Sequence, residues 1–342
     1  MIGRRVMLAG AAALPSTLAP SGLAHAQYRP AGTKQRAVRF AGSGGATLAG
    51  TLLLPMASEI QYVPGVVLIA GSGPTDRDGN NPLVPVRIDS LKQIAETLVR
   101  AGIATLRYDK RGIGASTASP STLSEQERFF AWNNFVGDVQ AAHGELLKHD
   151  EIKAWATALL GHSEGGLLAL AAAIRISWRR PHGIVLASTP GWPLDEIVRR
   201  QLARNAPALV DAADRVMTAI RSTGRTPSSG VPRELQPLFP PYIGPFLQGA
   251  MAFDPARTLA AIDTACLLLH GGSDSQVVPL GDIQPLLDAL GQRSAAGEAL
   301  VAPAVSHNLK VMSGPGDPGF SGPLAPAIAD KLTNWLRYLL TA

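Results

Sequence analysis

The chain has 342 residues, of which 46% are hydrophobic and 17% are charged, with a formal net charge of +5 at neutral pH. This composition excludes a disordered chain and suits one large globular domain or two small ones. The lysines and arginines are scattered and form no run that alternates with aromatic residues, so no nucleic-acid partner is expected. The single cysteine, Cys266, excludes an internal disulfide.

The first 27 residues have the pattern of an export signal. Two arginines near the start precede a short apolar stretch that a proline interrupts, and Ala24 and Ala26 have the spacing that signal peptidase requires. The stretch is shorter than the roughly 20 residues that cross a bilayer. We expect a signal peptide over residues 1–26, resembling the twin-arginine type, and a periplasmic or secreted mature protein that begins near Gln27 and has no stable membrane insertion.

Strand and helix patterns then alternate along the chain. RAVRFAG and ATLAGTLLLP, separated by the Gly-rich SGG, predict an antiparallel pair of strands. Apolar runs predict six further strands, namely GVVLIA, IATLRYD, WATALL, HGIVLAST, ACLLLHG and ALVAPAVSH. Apolar residues at helical spacing predict helices over SLKQIAETLVRAG, FVGDVQAAHGELLKHD and AIADKLTNWLRYLL. Because the strands are continuously apolar, the sequence predicts a mostly parallel α/β sheet that is flanked by helices on both faces.

One segment interrupts this alternation. Residues 191–260 are rich in proline, arginine and helix-forming residues and contain no convincing strand pattern. Ligands of open α/β sheets bind at the carboxyl ends of the strands. We therefore expect an inserted helical cap over 191–260, with an apolar acyl pocket, and a core formed by residues 27–190 and 261–342.

A serine between two glycines follows one of the predicted strands. In GHSEG, residues 161–165, Ser163 comes after the apolar ATALL and before the apolar GGLLALAAAI. A nucleophilic serine on a sharp turn between strand and helix needs small neighbours. The pentapeptide alone is weak evidence, because glycine and serine are frequent in this chain. Its flanking strand and helix make Ser163 a candidate nucleophile rather than a loop residue.

A serine nucleophile requires a base, and the base requires an acid that orients it. Of the histidines after Ser163, His182 begins a strand and His270 ends one inside an apolar run. His307 follows the last strand and is the candidate base. Asp274 follows the preceding strand and is the candidate acid. The resulting chain order of serine, aspartate and histidine is the order used by enzymes whose serine follows a strand and opens a helix.

Two backbone N–H groups are expected to stabilise a developing oxyanion. The N–H of Glu164, at the start of the predicted helix, is one candidate, since the helix dipole also favours negative charge there. The second is expected from the loop GSGPTDRDGNN, where Ser72 and Gly73 are both candidates. The sequence does not decide between them.

Five motifs, in order AGSGPTDRDG, RYDKRGIGAS, GHSEGG, GGSDSQVVP and SHNL, resemble the α/β-hydrolase superfamily. Within it they resemble bacterial esterases whose nucleophile motif is GHSEGG and whose oxyanion loop is GSGPxDRD. The resemblance covers about residues 36–342 apart from the cap. It implies an α/β-hydrolase fold and cleavage of carboxylic esters through an acyl-enzyme, with Ser163 as nucleophile, His307 as base and Asp274 as orienting acid. It also implies structural roles for the aspartate and the second arginine of RYDKRGIGAS.

The expected function is that of an exported serine hydrolase whose partner is a small-molecule ester with a short to medium acyl chain. No metal or other cofactor is expected. DRDGNN lacks the later glycine and glutamate of a calcium-binding loop, and no dinucleotide, P-loop or zinc pattern occurs. A peptidase, an amidase or a thioesterase with the same triad is the alternative activity. A binding protein with the hydrolase fold and no turnover is the alternative from another class. The sequence makes no prediction of the oligomeric state.

Overall fold

The computed structural model describes residues 32–56, 62–314 and 316–341. The predicted signal peptide, residues 1–26, lies outside the described residues. Within them the chain forms an eight-stranded sheet with the strand order β1-β2-β4-β3-β5-β6-β7-β8. The strands are β1 (Gly32–Ala41), β2 (Thr47–Met56), β3 (Val63–Ile69), β4 (Ala104–Tyr108), β5 (Ile152–His162), β6 (Gly183–Ala187), β7 (Ala265–Gly271) and β8 (Gly297–Ala302).

The sheet is antiparallel at one edge and parallel in the rest. Strand β1 pairs antiparallel with β2, and β2 pairs antiparallel with β4. All other neighbours are parallel. Every residue of β3, β4 and β6 is buried, as expected of parallel strands that are covered by helices on both faces. The predicted α/β class with a mostly parallel sheet is confirmed.

Helices cover both faces of the sheet and divide the core into two layers. Helices α1 and α11 pack on one face, and α3, α4, α8 and α10 pack on the other. The helices are α1 (Ser90–Arg100), α2 (Leu123–Phe129), α3 (Trp132–Leu146), α4 (Glu164–Ala173), α5 (Leu194–Asn205), α6 (Val210–Thr223), α7 (Gly244–Ala252), α8 (Pro255–Ala261), α9 (Pro279–Asp282), α10 (Gln284–Gln292) and α11 (Pro326–Thr341). No helix among the described residues has the length and apolar character needed to cross a membrane.

The segment predicted as a cap contains α5, α6, α7 and the first part of α8. Its α7 packs against α3 of the core through aromatic rings: the ring of Phe246 lies 5.2 Å from that of Phe135 and 5.4 Å from that of Trp132. Such edge-to-face contacts stabilise the packing beyond the effect of the apolar area that they bury. The segment is thereby anchored beside the carboxyl ends of β4 and β5.

Candidate active site

Ser163 lies on a sharp turn between β5 and α4, which we call the elbow (residues 161–165). Its backbone has φ 54° and ψ −122°, a conformation that a residue with a side chain adopts at an energetic cost. Two hydrogen bonds hold it there. The N–H of Ser163 donates to the carbonyl oxygen of Ala187 at 2.8 Å, and the N–H of Gly166 donates to the carbonyl oxygen of Ser163 at 2.9 Å.

The two glycines that flank the serine are required by close backbone contacts. A Cβ atom at Gly161 would lie 2.1 Å from the carbonyl oxygen of Gly165, and one at Gly165 would lie 2.4 Å from the carbonyl oxygen of Ile69. Both atoms are backbone and cannot rotate away. The small residues of the motif therefore let the turn pack tightly against β3.

The predicted base and acid are hydrogen-bonded to each other. The Nδ1 atom of His307 lies 2.7 Å from Oδ2 of Asp274. The other carboxylate oxygen of Asp274 accepts the backbone N–H groups of Gln276 and Val277 at 2.8 and 2.9 Å. Burial raises the pKa of Asp274, but the hydrogen bonds and charges of its neighbours, those of His307 first, together lower it more, so the net pKa is below its ordinary value. The acid is therefore a carboxylate that fixes the orientation of the His307 ring.

Two further histidines support this pair. His162, within the elbow, places its Nε2 atom 2.8 Å from the carbonyl oxygen of His307, and its ring lies 4.9 Å from the ring of His307. Burial lowers the pKa of His162 to about 4, so its neutral ring donates this hydrogen bond at neutral pH. His270 is buried with Nε2 2.7 Å from the carbonyl oxygen of Val277, as expected of a core histidine with its hydrogen bond satisfied.

Ser163 and His307 line one cavity of about 130 Å³, which we call the serine cavity. Among the hydrogen bonds of the described residues, none joins the hydroxyl of Ser163 to His307. The three residues that the sequence proposed for a triad thus come together at the carboxyl ends of β5, β7 and β8. Asp274 and His307 are in direct contact, and Ser163 faces the same space as His307.

The loop after β3 brings one of its two candidate donors to this cavity. Ser72 lines the serine cavity, together with Gly71 and Thr75, whereas Gly73 lines a neighbouring cavity. Gly73 has φ 66°, a conformation that favours glycine. The carbonyl oxygen of Ser72 accepts the hydroxyl of Thr75 at 2.7 Å, which stabilises the turn.

Comparison with known proteins places these features in context. Residues 87–235 match the family model described as serine aminopeptidase, S33. Esterase EstD from Thermotoga maritima is 28% identical over 239 residues, which are 67% of this chain and 50% of EstD. The chain thus spans about half the length of this curated relative.

Two solved structures show the same fold at low sequence identity. The α/β hydrolase GrgF from Penicillium sp. sh18 matches with a TM-score of 0.56 and 18% identity, over 90% of this chain and 100% of GrgF. The chain has the α/β-hydrolase fold. Acetyl xylan esterase from Paenibacillus sp. R4 also has a TM-score of 0.56 and 18% identity, over 90% of this chain and 84% of the esterase. The α/β-hydrolase fold expected from the sequence motifs is confirmed.

In this α/β-hydrolase fold, a buried lysine that sequence reasoning missed holds the loop after β3. The ammonium of Lys110 donates to the carbonyl oxygens of Gly71 and Gly73, the latter at 2.8 Å. Its Nζ atom lies 3.9 Å from a carboxylate oxygen of Glu164. Burial lowers the pKa of Lys110 and raises that of Glu164, and the attraction between the two opposes both shifts. RYDKRGIGAS contained the signal, since a lysine directly after a buried strand is unusual.

The two neighbours of Lys110 hold adjacent loops in place. Asp109 accepts the side chain of Arg77 at 2.6 Å and the backbone N–H of Ala115 at 2.9 Å. Arg111 is fully buried and forms a two-pronged ion pair with Asp138 at 2.7 and 2.8 Å. Both contacts agree with the structural roles that the motif implied.

Proposed function

We propose that this protein is a serine hydrolase that cleaves carboxylic esters through an acyl-enzyme intermediate. The observation that carries the proposal is the hydrogen-bonded pair of Asp274 and His307, which faces the same cavity as Ser163 on its strained turn. The relatives named as esterases support an ester as the substrate.

The proposed reaction has two stages. As the hydroxyl of Ser163 attacks the ester carbonyl, Nε2 of His307 takes its proton, and the bond to the alcohol then breaks as His307 returns that proton to the leaving oxygen. Water next attacks the acyl-enzyme, again giving its proton to His307, and the carboxylic acid leaves as Ser163 is regenerated. Asp274 keeps Nδ1 protonated and stabilises the imidazolium that forms twice in each cycle.

The oxyanion is proposed to bind the backbone N–H groups of Glu164 and Ser72. Each such donor contributes about 3 kcal/mol to the transition state. Ser72 is favoured over Gly73 because it lines the serine cavity. The C=O and N–H of a trans peptide point in opposite directions, so the bond from Lys110 to the carbonyl of Gly71 directs the N–H of Ser72 away from Lys110.

Amide cleavage is the second candidate activity. The family model that matches residues 87–235 is described as serine aminopeptidase, and the same triad can attack an amide. A set of p-nitrophenyl esters of increasing acyl length, compared with aminoacyl p-nitroanilides, separates the two activities. Turnover of the esters without turnover of the anilides supports the esterase. Efficient turnover of the anilides supports the peptidase, because their amide bond is intrinsically much less reactive than an aryl ester.

We also propose that the protein is exported and that residues 1–26 are removed. The support is the sequence pattern of these residues. Amino-terminal sequencing of the mature protein from a cell-envelope or culture fraction is expected to begin near Gln27. A full-length chain confined to the cytoplasm would contradict export.

A further inference from the structure

A second cavity, of about 290 Å³, lies beside the elbow, and we call it the aromatic pocket. Four aromatic side chains contribute to its lining, namely Phe130, Phe135, Tyr242 and Phe246. Their rings pack in pairs, with centroids 4.9 Å apart for Phe130 and Tyr242 and 5.2 Å apart for Phe135 and Phe246. Tyr242 and Phe246 come from the segment predicted as a cap. The volume and lining suit one aryl group.

The aromatic pocket and the serine cavity border the same stretch of surface. Gly73 and Glu164, the chain neighbours of Ser72 and Ser163, line the aromatic pocket. An open groove of about 590 Å³ borders both spaces, since it shares Pro74, Gly112 and Ile113 with the aromatic pocket and Asn81 and Val84 with the serine cavity. A substrate bound at Ser163 can therefore extend into the aromatic pocket.

The position of His307 indicates which part of an ester enters this pocket. His307 must reach the leaving oxygen, so the alcohol lies on its side of the reacting carbon. His307 lines the serine cavity and is not among the residues that line the aromatic pocket. The acyl chain extends from the reacting carbon in the opposite direction, past the oxyanion donors and toward the aromatic pocket.

Glu164 lines the aromatic pocket beside Lys110. Its side chain is 15% exposed, and the Nζ atom of Lys110, at 3.9 Å, is its ion-pair partner among the described residues. That ammonium already donates to two backbone carbonyls. No hydrogen bond to the carboxylate occurs within the described part of the chain. A largely buried carboxylate in this state gains free energy when a ligand supplies a donor.

We propose that the aromatic pocket binds an aryl acyl group that carries a neutral hydrogen-bond donor, such as a phenolic hydroxyl, and that the carboxylate of Glu164 accepts this hydrogen bond. The inference rests on the proposed ester hydrolysis. A neutral donor fits better than an ammonium because the local charges are already balanced, Lys110 by Glu164 and Arg111 by Asp138. A cation would leave one positive charge uncompensated in a site with little water.

The test uses three ethyl esters of 3-phenylpropanoic acid, which carry hydrogen, hydroxyl or aminomethyl at the para position. Acid release at constant pH gives kcat/KM for each. We expect the wild type to prefer the hydroxyl ester over the unsubstituted ester at least tenfold and to show no preference for the aminomethyl ester. Glu164→Ala, which keeps the backbone N–H, is expected to reduce the tenfold preference to less than threefold. Glu234→Ala, on the exposed surface, is the matched control and keeps the preference.

Three results overturn the inference: equal rates for the hydroxyl and unsubstituted esters, a preference for the aminomethyl ester, or an unchanged preference in Glu164→Ala. If Glu164→Ala does not fold, Tyr242→Ala tests the pocket instead. It should lower kcat/KM for the unsubstituted and the hydroxyl ester at least fivefold relative to ethyl acetate, and no change overturns the pocket assignment. p-Nitrophenyl acetate separates the two proposals, because its acyl group is too small to reach the pocket. No turnover of this ester contradicts ester hydrolysis itself.

Discussion

The ammonium of Lys110 lies 2.8 Å from the carbonyl oxygen of Gly73 and also donates to the carbonyl oxygen of Gly71. These two carbonyls bracket Ser72, whose N–H is the proposed second oxyanion donor. The strand β4 thus carries, at its carboxyl end, the group that sets the conformation of the loop after β3. Glu164, the neighbour of the nucleophile, balances the charge of Lys110. The oxyanion donors and the elbow are therefore connected through one buried ion pair.

Replacing Lys110 by methionine is expected to lower kcat by about 10²-fold, with little change in KM. The reason is that a misplaced oxyanion donor weakens the transition state more than the bound ester. Steady-state hydrolysis of p-nitrophenyl acetate measures both constants. Lys148→Met, at an exposed lysine on the loop that follows α3, is the matched control and should behave as the wild type.

The affinity for a transition-state mimic separates this role from a general loss of structure. An aryl boronic acid forms a tetrahedral adduct with the serine, and its affinity for Lys110→Met should fall in proportion to kcat. The affinity for the product acid should stay within a few-fold of the wild type. A folded Lys110→Met enzyme with normal kcat would contradict the proposed role of the lysine.

Asp274→Asn is expected to reduce kcat by about 10⁴-fold while leaving the fold intact. An asparagine in this position stabilises the wrong tautomer of His307 and cannot stabilise the imidazolium. Ester hydrolysis at matched enzyme concentrations measures the loss of kcat, and circular dichroism measures whether the fold is intact. Asp288→Asn, at an exposed aspartate on α10, serves as the control for the chemical change. Equal activity of the two variants would remove Asp274 from the mechanism.

The lowered pKa values of two buried histidines are expected to make the stability of the fold depend on pH. Burial lowers the pKa of His143 and of His162 from 6.5 to about 4. Between pH 6.5 and 4 the unfolded chain therefore binds more protons, so the free energy of unfolding decreases as the pH falls through this window. The largest loss is about 3 kcal/mol for each histidine. Asp274, whose pKa is below its usual 3.8, adds a loss only at more acidic pH.

Urea unfolding at pH 7 and pH 4.5 tests this dependence at His143, whose Nε2 atom lies 3.0 Å from the hydroxyl of Thr157, away from the serine cavity. His143→Gln should lose less stability between the two pH values than the wild type does. His182→Gln, at an exposed histidine, should lose as much as the wild type. If His143→Gln and the wild type respond identically, His143 does not carry the effect.

Alanine substitutions of two glycines are expected to change the free energy of unfolding in opposite directions. Gly165→Ala introduces a Cβ atom 2.4 Å from the carbonyl oxygen of Ile69 and should lower the free energy of unfolding by about 2 kcal/mol or more. Gly144→Ala, in α3, meets nothing within 4 Å and should raise it by about 0.5 to 1 kcal/mol, because alanine favours the helix. Thermal unfolding of both variants measures the difference. A stable Gly165→Ala would show that the elbow can relax.

Local patterns predicted the elements that position the site. The apolar runs before and after Ser163 correspond to β5 and α4, and the loops after β7 and β8 carry Asp274 and His307. The contact of His162 with His307 was not predictable, because 145 residues separate the two and local pattern carries no information on their distance. Lys110 stands out in the sequence as a lysine directly after a buried strand, but its contacts were not predictable because they depend on β3 and β4 being neighbours in the sheet. Helix α2 also escaped prediction.

The proposed nucleophile can be tested directly by labelling with a fluorophosphonate, followed by mass spectrometry of the peptide that contains residues 159–170. We predict one adduct per chain, on Ser163, with activity lost in proportion to labelling. Ser163→Ala should be unlabelled and should lose activity roughly 10⁴-fold or more. Labelling should also slow strongly in His307→Ala, because the hydroxyl then lacks its base. A labelled residue other than Ser163, or activity that persists in Ser163→Ala, would contradict the account.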